Sequence, residues 1–421
     1  MPTIAYLANQ FPSPFERYVV NEILALRKHG VEVIPCSAWR SSPGVAPVHK
    51  LLERETLSIF QPTWRNVLRA SGVLLWNFPL LWEFFARILF KGREAPLRRA
   101  KALLHTLAGV HYSLLLAGRG VEHIHVHHGY FSAWIAMVAA RLLGIGYSMT
   151  LHGSDILLHH AYLDIKLEKC VVCFTVSEYN RKYLLARFPK LDPGKIVLRR
   201  LGVDTAVEAS PPAPLGLADR LVILSVGRLH PVKNHSFLVE ACAKLKREGM
   251  HFLCLIAGDG PERKLVKEKI ARHGLRSEVK LLGQVEHGDL EALYPMVDLV
   301  VLTSRSEGIP VALMEAMVRK CIVLAPAITG IPELVINGKT GFLYSAGSQE
   351  DFILKIKEVR QSLPFLDGIR EAARARVLVN FDQVTNLQNF IATLLSHVHQ
   401  QREGHHAHTL LQQIQLRVQR N

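Results

Sequence analysis

Cysteine is scarce: there are six in 421 residues, at positions 36, 170, 173, 242, 254 and 321. Most lie inside apolar runs, so a reducing compartment is expected and a disulfide frame is not. Cys170 and Cys173 have metal-ligand spacing, but no second Cys or His pair follows at zinc-finger distance, so no metal site is expected. The start, Met1 to Leu7, lacks a basic segment ahead of an apolar core; it reads as a first strand rather than a secretory signal, and points to the cytoplasm. No apolar run of spanning length is free of charge. The nearest, Ser71–Phe90, is interrupted by Pro79, Glu83 and Arg87. An arginine at mid-bilayer alone costs about 2.5–3.5 kcal/mol on insertion scales. Helix-turn-helix, zinc-knuckle and aromatic RNP signatures are also missing, so nucleic acid is not an expected partner.

What is present is a chain 49 % hydrophobic and 21 % charged, long enough for two domains with a core each. Its 51 basic and 36 acidic residues give a formal charge of +15, which favours an anionic partner: nucleic acid, an anionic membrane surface or a phosphorylated small substrate. Ser71–Phe90 is crowded with Trp76, Phe78, Trp82, Phe84, Phe85 and Phe90, and flanked by Arg65, Arg69, Lys91, Arg93, Arg98, Arg99 and Lys101. Glu83 and Arg87 stand at i,i+4, as partners on an exposed helix would. The segment reads either as a helix lying in the plane of an anionic membrane surface or as a buried helix pair of the first domain.

The first half alternates strands and helices: Ile4–Ala8, a helix near Tyr18–His29, Val31–Cys36, Ile124–His127, a helix near Ala133–Leu143, Tyr147–Leu151 and Val171–Val176. Ala209–Asp219, with three prolines and no periodicity, reads as a linker. The rhythm restarts with strand Leu221–Val226, helix His235–Glu248, strand Phe252–Ala257, helix Glu262–His273 and strand Val279–Leu282. It continues with helix Leu290–Met296, strand Leu299–Leu302, helix Val311–Arg319 and strand Cys321–Ala325. The expected fold is α/β, two doubly wound Rossmann-like domains facing across a cleft at their strand ends. The expected boundaries are 1–208, a linker 209–219, 220–385, and a C-terminal helix and polar tail 386–421, with His405, His406 and His408 in a solvated end.

Three stretches carry chemistry. In Ser304–Met317, Glu307 and Glu315 are eight apart, and Gly308 and Pro310 lie where a loop enters a helix. The amides around Ile309–Leu313 would be open N–H groups at a helix start, suited to a diphosphate. A capped helix with two surface carboxylates is the plainer reading. In Ser225–Asn234, Gly227 permits a tight turn and Arg228 and Lys233 place two cations on one loop, able to neutralise a leaving diphosphate or merely to be solvated. In Thr150–Asp155, His152 follows a strand end and precedes Gly153, where a ligand site or a structural histidine is equally in keeping.

Together these resemble the family-four retaining glycosyltransferases of the GT-B fold. The matching pieces are Glu307 and Glu315 (E-x7-E), Gly227, Arg228 and Lys233, Ala257–Pro261 (AGDGP), Gly330–Val335 (GIPELV), Asn337–Leu343 and His152–Asp155 (HGSD), in family order over about Ile4–Leu343. Phe11, Pro12 and Glu16 before Tyr18–Ile23 look like the subgroup that builds cell-surface polysaccharide of the colanic-acid and exopolysaccharide type. The resemblance implies a hexosyl transfer, with retention and without a metal, from a nucleoside-diphosphate sugar to a glycan or lipid-linked acceptor. The donor is then a co-substrate, and no cofactor is implied. It assigns the diphosphate to Arg228 and Lys233, the nucleotide ribose to Glu315, and donor-sugar hydroxyls to Glu307 with the amides of Gly308, Ile309, Pro310 and Val311 alongside. His152 would contact the donor sugar near the reacting carbon. Gly258 and Gly260 would let backbone pass close to the nucleotide. Glu16 and Arg17 would lie on the acceptor side. Two departures stand out: Lys320 replaces a helix-terminal glycine and Ile322 a proline, and Phe15 and Arg17 stand where the subgroup has Ser and Thr. The chain would work as a peripheral protein on the inner face of the plasma membrane. A nucleotide-sugar epimerase of similar architecture, and an inactive homologue that only binds donor, are the rival readings.

Overall fold

A computed structural model describes residues 1–13, 16–39, 50–60, 63–91, 94–158, 160–207 and 219–418, with 404–418 by backbone alone. Phe15, Arg93 and residues 209–218 of the expected linker lie outside the described residues, as do the side chains of His405, His406 and His408. The chain divides into two compact units. The first comprises residues 1–176, 181–199 and 387–421, the second 177–180 and 200–386.

The first unit begins β1 (Thr3–Gln10), α1 (Arg17–Lys28), β2 (Glu32–Trp39), α2 (Lys50–Glu55) and β3 (Leu57–Ser58). Three consecutive helices follow, α3 (Trp64–Trp76), α4 (Phe78–Leu89) and α5 (Pro96–Leu116). Next come β4 (Val121–His127), α6 (Phe131–Leu143), β5 (Gly146–Leu151), α7 (Ser154–Leu157) and α8 (Leu163–Lys169). The unit is completed by β6 (Cys173–Thr175), α9 (Glu178–Arg187), whose first turn is grouped with the second unit, and β7 (Ile196–Leu198). The strands form one parallel sheet in the order β3-β2-β1-β4-β5-β6-β7. β5 is buried along its whole length, as a parallel strand covered on both faces must be. Helix α6 is buried from Ser132 to Ala140 and approaches α5 closely: a Cβ on Gly109 would meet Val138 Cβ at 2.7 Å.

The second unit contains β8 (Leu221–Val226), α10 (His235–Arg247), β9 (Phe252–Ala257), α11 (Arg263–Arg272), β10 (Val279–Gly283) and α12 (His287–Leu293). It continues through β11 (Leu299–Val301), α13 (Val311–Val318), β12 (Ile322–Pro326), α14 (Ile331–Leu334) and β13 (Phe342–Tyr344). α15 (Gln349–Ser362), α16 (Asp367–Asn380) and the start of α17 (Gln383–Val418) close it. Its parallel sheet runs β10-β9-β8-β11-β12-β13.

The division between units falls before Arg200, ahead of the proline-rich stretch, because Val203 forms a β-bridge with Asp382. From Leu387 onward α17 belongs to the first unit rather than forming a separate tail. Phe390, Ile391, Leu394 and Val398 are buried with β1 and α1, and the Phe390 ring lies 4.9 Å from that of Phe174.

Ser71–Phe90 is not one helix. Helices α3 and α4 meet at Asn77 with a 93° bend, and Pro79 sits in the first turn of α4, where its missing N–H costs nothing. Leu81, Phe84 and Ile88 make a buried stripe, while Leu75, Trp76, Trp82, Leu89 and Phe90 are exposed, so the segment is half core and half surface. Among the described residues no single helix is long and apolar enough to cross a membrane; the bent pair reaches that length only jointly. Glu83 and Arg87 do not pair with each other. Arg87 is drawn to Glu94 and Asp164, each at 3.0 Å, and Glu83 to Lys169 at 2.7 Å, because those partners flank α4 on either side.

Candidate active site

In a doubly wound sheet, the loops following the two strands where chain order reverses splay apart and leave room for a ligand. In the second unit that point lies between β8 and β11. The β8 loop carries Gly227, Arg228 and Lys233; the β11 loop carries Ser304 to Pro310. They are tied together by Arg305 N–H to Val232 O (2.8 Å) and by the Thr303 hydroxyl to Lys233 O (3.0 Å). Lys233 Nζ lies 2.6 Å from Glu307 Oε1, and the Ser304 hydroxyl donates to the same oxygen at 2.5 Å. The lysine expected to face a diphosphate is thus paired, without ligand, to the carboxylate expected to face sugar hydroxyls. Arg228 is exposed on its loop. The Glu307 carbonyl accepts from the Thr329 hydroxyl at 2.6 Å, and Thr329 has φ +45°, a left-handed conformation costly for a β-branched residue.

Pro310 is the N-cap of α13, so Val311 opens the helix as expected, and the amides of Val311 and Ala312 precede the first bond within the helix. Leu313 is a correction: its N–H donates to Pro310 O at 3.1 Å and is not open. Gly308 and Val311 flank this end half-buried, and Ile309 is buried. Glu315, one turn on, accepts from the Tyr294 hydroxyl at 2.9 Å, which fixes one carboxylate oxygen; His287 Nδ1 is 3.9 Å from the other. Gly258 and Gly260 are required by the fold itself. A Cβ at Gly258 would lie 2.0 Å from Gly227 O, and one at Gly260 2.5 Å from Leu229 O, so protein backbone already accounts for both glycines. The turn after α13 survives the loss of glycine: Lys320 takes the left-handed conformation itself, at φ +61°.

In the first unit the reversal lies between β1 and β4. Glu16 precedes α1, His127 ends β4, His128 follows it, and His152 follows β5. These four are linked. Glu16 Oε1 is 2.9 Å from His128 Nε2, and His127 Nδ1 is 3.0 Å from His152 Nε2. His127 Nε2 reaches Glu22 Oε2 at 2.9 Å, and Glu22 Oε1 lies 2.6 Å from the Arg199 guanidinium. The Tyr6 hydroxyl donates to Glu22 as well. Asp155, wholly buried, accepts from the amides of His152 (3.1 Å), Gly153 (2.8 Å) and Gly129 (3.0 Å), fastening the β4 and β5 loops to each other. Arg17 is exposed at the start of α1.

The electrostatics follow from this wiring. Burial opposes charge on His128, but Glu16 and Asp155 outweigh it and push the imidazolium up to about 10. Burial also opposes charge on Glu22, and there Arg199 and His127 prevail and hold the carboxyl down to about 2. Asp155 is likewise held well below the usual range by His128 and the amides, against its burial. His152 goes the other way: burial first, then the neighbouring His128 and His127, depress it far below an ordinary imidazole, so it is neutral. His127 stands between the two, its Nε2 on Glu22 and its Nδ1 on His152 Nε2, and so orients the His152 ring.

Glu22, His125 and His127 stand close enough to be considered for a metal. The donor set does not fit one: Glu22 is already engaged by Arg199, Tyr6 and His127, and a dication would sit beside the guanidinium. All six thiols are free and buried, Cys170 and Cys173 included. Sequence reading missed Glu22, His127, His128, Asp155 and Arg199. A signal existed: His123, His125 and His127 alternate on one face of a strand inside a parallel sheet, and buried imidazoles require partners. His123 and His125 find Ser148 at 2.8 Å, and His125 also Thr150 at 3.1 Å.

Two family models match the chain: "Glycosyltransferase Family 4" over residues 15–207 and "Glycosyl transferases group 1" over 211–376. The putative colanic acid biosynthesis glycosyltransferase WcaL of Escherichia coli K12 is 36 % identical over 196 residues, 45 % of this chain and 48 % of that one. The alpha-D-kanosaminyltransferase of Streptomyces kanamyceticus is 34 % identical over 128 residues, 30 % of this chain and 33 % of that one. The matches thus span a third to about half the length of these curated relatives. Anabaena Alr3699/HepE, solved in complex with UDP and glucose, shares the fold with TM-score 0.67 at 20 % identity, over 94 % of this chain and 100 % of that one. The first model runs from just after β1 through β7 and takes in Glu16, His127 and His152, the second covers the whole second sheet, and the chain belongs to the family-four glycosyltransferases, with the two parallel-sheet α/β domains of the GT-B type.

Proposed function

We propose that this chain transfers a hexosyl group from a nucleoside-diphosphate sugar to a hydroxyl of a glycan or lipid-linked acceptor, with retention at the anomeric carbon, in cell-surface polysaccharide biosynthesis. The observation that carries this reading is the meeting of Lys233, Glu307 and the start of α13 at the switch point of the second sheet, with Arg228 on the same loop as Lys233. The naming of WcaL as a putative colanic acid transferase, and of HepE with UDP and glucose, supports the polymer class and the donor class.

In this reaction the bond between the anomeric carbon and the diphosphate oxygen breaks first. Negative charge grows on the diphosphate, where Arg228, Lys233 and the open amides of α13 stabilise it. The sugar passes through an oxocarbenium-like centre. The acceptor oxygen attacks the face the diphosphate has left, and its proton goes to the departing phosphate oxygen. Side-chain cations serve where a metal would otherwise neutralise the diphosphate. Glu315, held by Tyr294, is suited to vicinal hydroxyls of the nucleotide ribose, and Glu307 to the sugar. The role proposed for His152 is a contact to the sugar being transferred, as a neutral imidazole set by His127.

The same reading places the chain on the cytoplasmic face of an anionic membrane. The exposed Trp76, Trp82 and Phe90, with the basic residues flanking α3–α5, support this. Co-sedimentation with anionic but not neutral vesicles is expected, and loss of the difference on Trp76→Ser/Trp82→Ser would identify the patch.

The deciding experiment is a thermal-shift panel of UDP, GDP and their sugar conjugates with the chain and its Arg228→Ala and Glu315→Ala variants. A ligand at about 100 times its Kd adds roughly 2.7 kcal/mol to the state that binds it. A shift with one nucleotide series, lost in both variants, is expected. A shift retained in both would remove the assigned site, and NMR of the product anomer tests retention.

A further inference from the structure

Within the first unit, a cavity of about 290 Å³ opens between α5, the start of α6 and the residues 161–166. It takes no part in the transfer machinery described above. Arg98, Lys101 and His105 line one wall from α5, at spacings that put them on one helix face. Tyr130, Phe131 and Trp134 form the wall opposite. Lys166 lines it too, nearly inaccessible, with Nζ bonded to the carbonyls of Gly129 (2.8 Å), Tyr130 (2.9 Å) and Ala161 (2.9 Å). Those three bonds use all the donors of its amine and burial pulls Lys166 down to about 7, so it props the wall, while exposed Arg98 and Lys101 bring the charge and have donors to give. Among the described residues no carboxylate lines the cavity; Glu94, Asp155 and Asp164 act on Lys166 from outside the lining. Burial and then the neighbouring lysines hold His105 at about 4, as expected where positive charge accumulates.

We propose that this cavity binds the anionic head of an amphiphile, a phosphate joined to an apolar body, and that the amphiphile is the acceptor; the second clause rests on the transferase reading. The cations and the lack of a lining carboxylate select an anion. The apolar body is indicated by the aromatic wall, and by exposed Leu97 and Leu104 at i−4 and i+3 of Lys101, which make an apolar rim beside the cation. The link to the acceptor side is the turn after β4. The carbonyls that fix Lys166 belong to Gly129 and Tyr130. The Tyr130 ring stacks on His128 at 5.4 Å, and the Tyr130 hydroxyl bonds Ser154 at 2.6 Å. The head group is thus seated against the turn that carries the His128–Glu16 pair.

The test titrates the full chain with octyl phosphate below its micelle concentration, following tryptophan fluorescence, since Trp134 lines the cavity. Neutral octyl glucoside and inorganic phosphate serve as comparison ligands. Saturable binding of octyl phosphate is expected, at least tenfold weaker in Arg98→Ala/Lys101→Ala and unchanged in the Lys264→Ala control. Inorganic phosphate binding at least tenfold more weakly than octyl phosphate assigns an amphiphile. Equal affinities, lost in the double variant, keep the anion site and overturn the amphiphile. Equal binding of octyl glucoside, or an unaltered double variant, overturns the proposal. UDP binding is measured on the same samples: its absence from the unaltered chain would fell the transferase reading, while the octyl phosphate result would still decide the cavity.

Discussion

The two switch points are built in opposite ways. In the first unit the polar groups are mostly buried against one another, Glu22 with Arg199 and His127, Asp155 with three amides, His152 with His127, although Arg199 Nε and Nη1 find no hydrogen-bond partner among the described residues. In the second, Lys233 and Glu307 meet on loops still open to solvent, Arg228 is exposed, and a helix start offers its amides. One site is wired largely within itself; the other is a set of charges of the kind a diphosphate would complete. A wired, buried site contributes to fold stability and so fails by unfolding. An open one contributes little to stability and fails by losing rate.

The sharpest way to break this contrast is at Glu22. Glu22→Ala leaves Arg199 buried without its counter-charge, and removing one partner of a buried pair costs about 3–5 kcal/mol. The readout is specific, because all five tryptophans, Trp39, Trp64, Trp76, Trp82 and Trp134, lie in the first unit. Urea unfolding followed by tryptophan fluorescence should therefore show the whole loss. A change below about 1 kcal/mol would mean that water replaces the carboxylate and that the network is not a framework.

In the second unit the expectation reverses. Lys233→Ala and Arg228→Ala should leave the fluorescence transition unmoved while lowering kcat by about 10²–10³, the order seen when one preorganised charge-stabilising donor is removed. Lys233→Ala also releases Glu307 from its pair, so it should exceed Arg228→Ala in its effect on KM. Equal loss of stability and activity would erase the distinction between the sites.

The pH response sharpens it further. The Glu22 carboxyl is depressed in the fold, so its contribution is present above about 4.5 and is lost as pH falls toward 2. His128 is raised, so its contribution is complete below about 6.5 and is lost as pH climbs toward 10. Fluorescence-detected stability should thus be greatest between about pH 4.5 and 6.5 and decline on both flanks, more on the alkaline one, where the shift is larger. His128→Gln should flatten the alkaline flank alone; an alkaline decline that persisted would assign it to other groups.

Legibility in the sequence follows the same divide. Strands β8 and β9 match the expected Leu221–Val226 and Phe252–Ala257 end to end, since five or six apolar residues bounded by turns leave little choice. Strands β3, β7 and β13 were not foreseen, because two or three residues are too few to show a period. The open site was legible for a related reason: Gly227 to Lys233 and Glu307 to Glu315 are local runs. The buried site was not, because Glu22, His127 and Arg199 are brought together only by strand order, from positions more than a hundred and seventy apart at the extremes. The α3–α4 pair is one of the two readings the sequence leaves open for Ser71–Phe90; Pro79 interrupts the apolar run there and marks the first turn of the second helix.

The smallest effect concerns Lys320, where this chain departs from a helix-terminal glycine without losing the turn. A side chain in the left-handed region costs about 1–2 kcal/mol, and glycine gives back roughly 0.5–1 kcal/mol through its larger unfolded-state freedom. Lys320→Gly should therefore stabilise the second unit by about 0.5–1 kcal/mol, less a small amount for the exposed pair with Glu371. Tryptophan fluorescence should not register it. Calorimetry should, in the second unit's own transition. If the gain appeared in the fluorescence transition instead, the two units would unfold as one, and the contrast between their sites would have to be recast as a property of a single cooperative body.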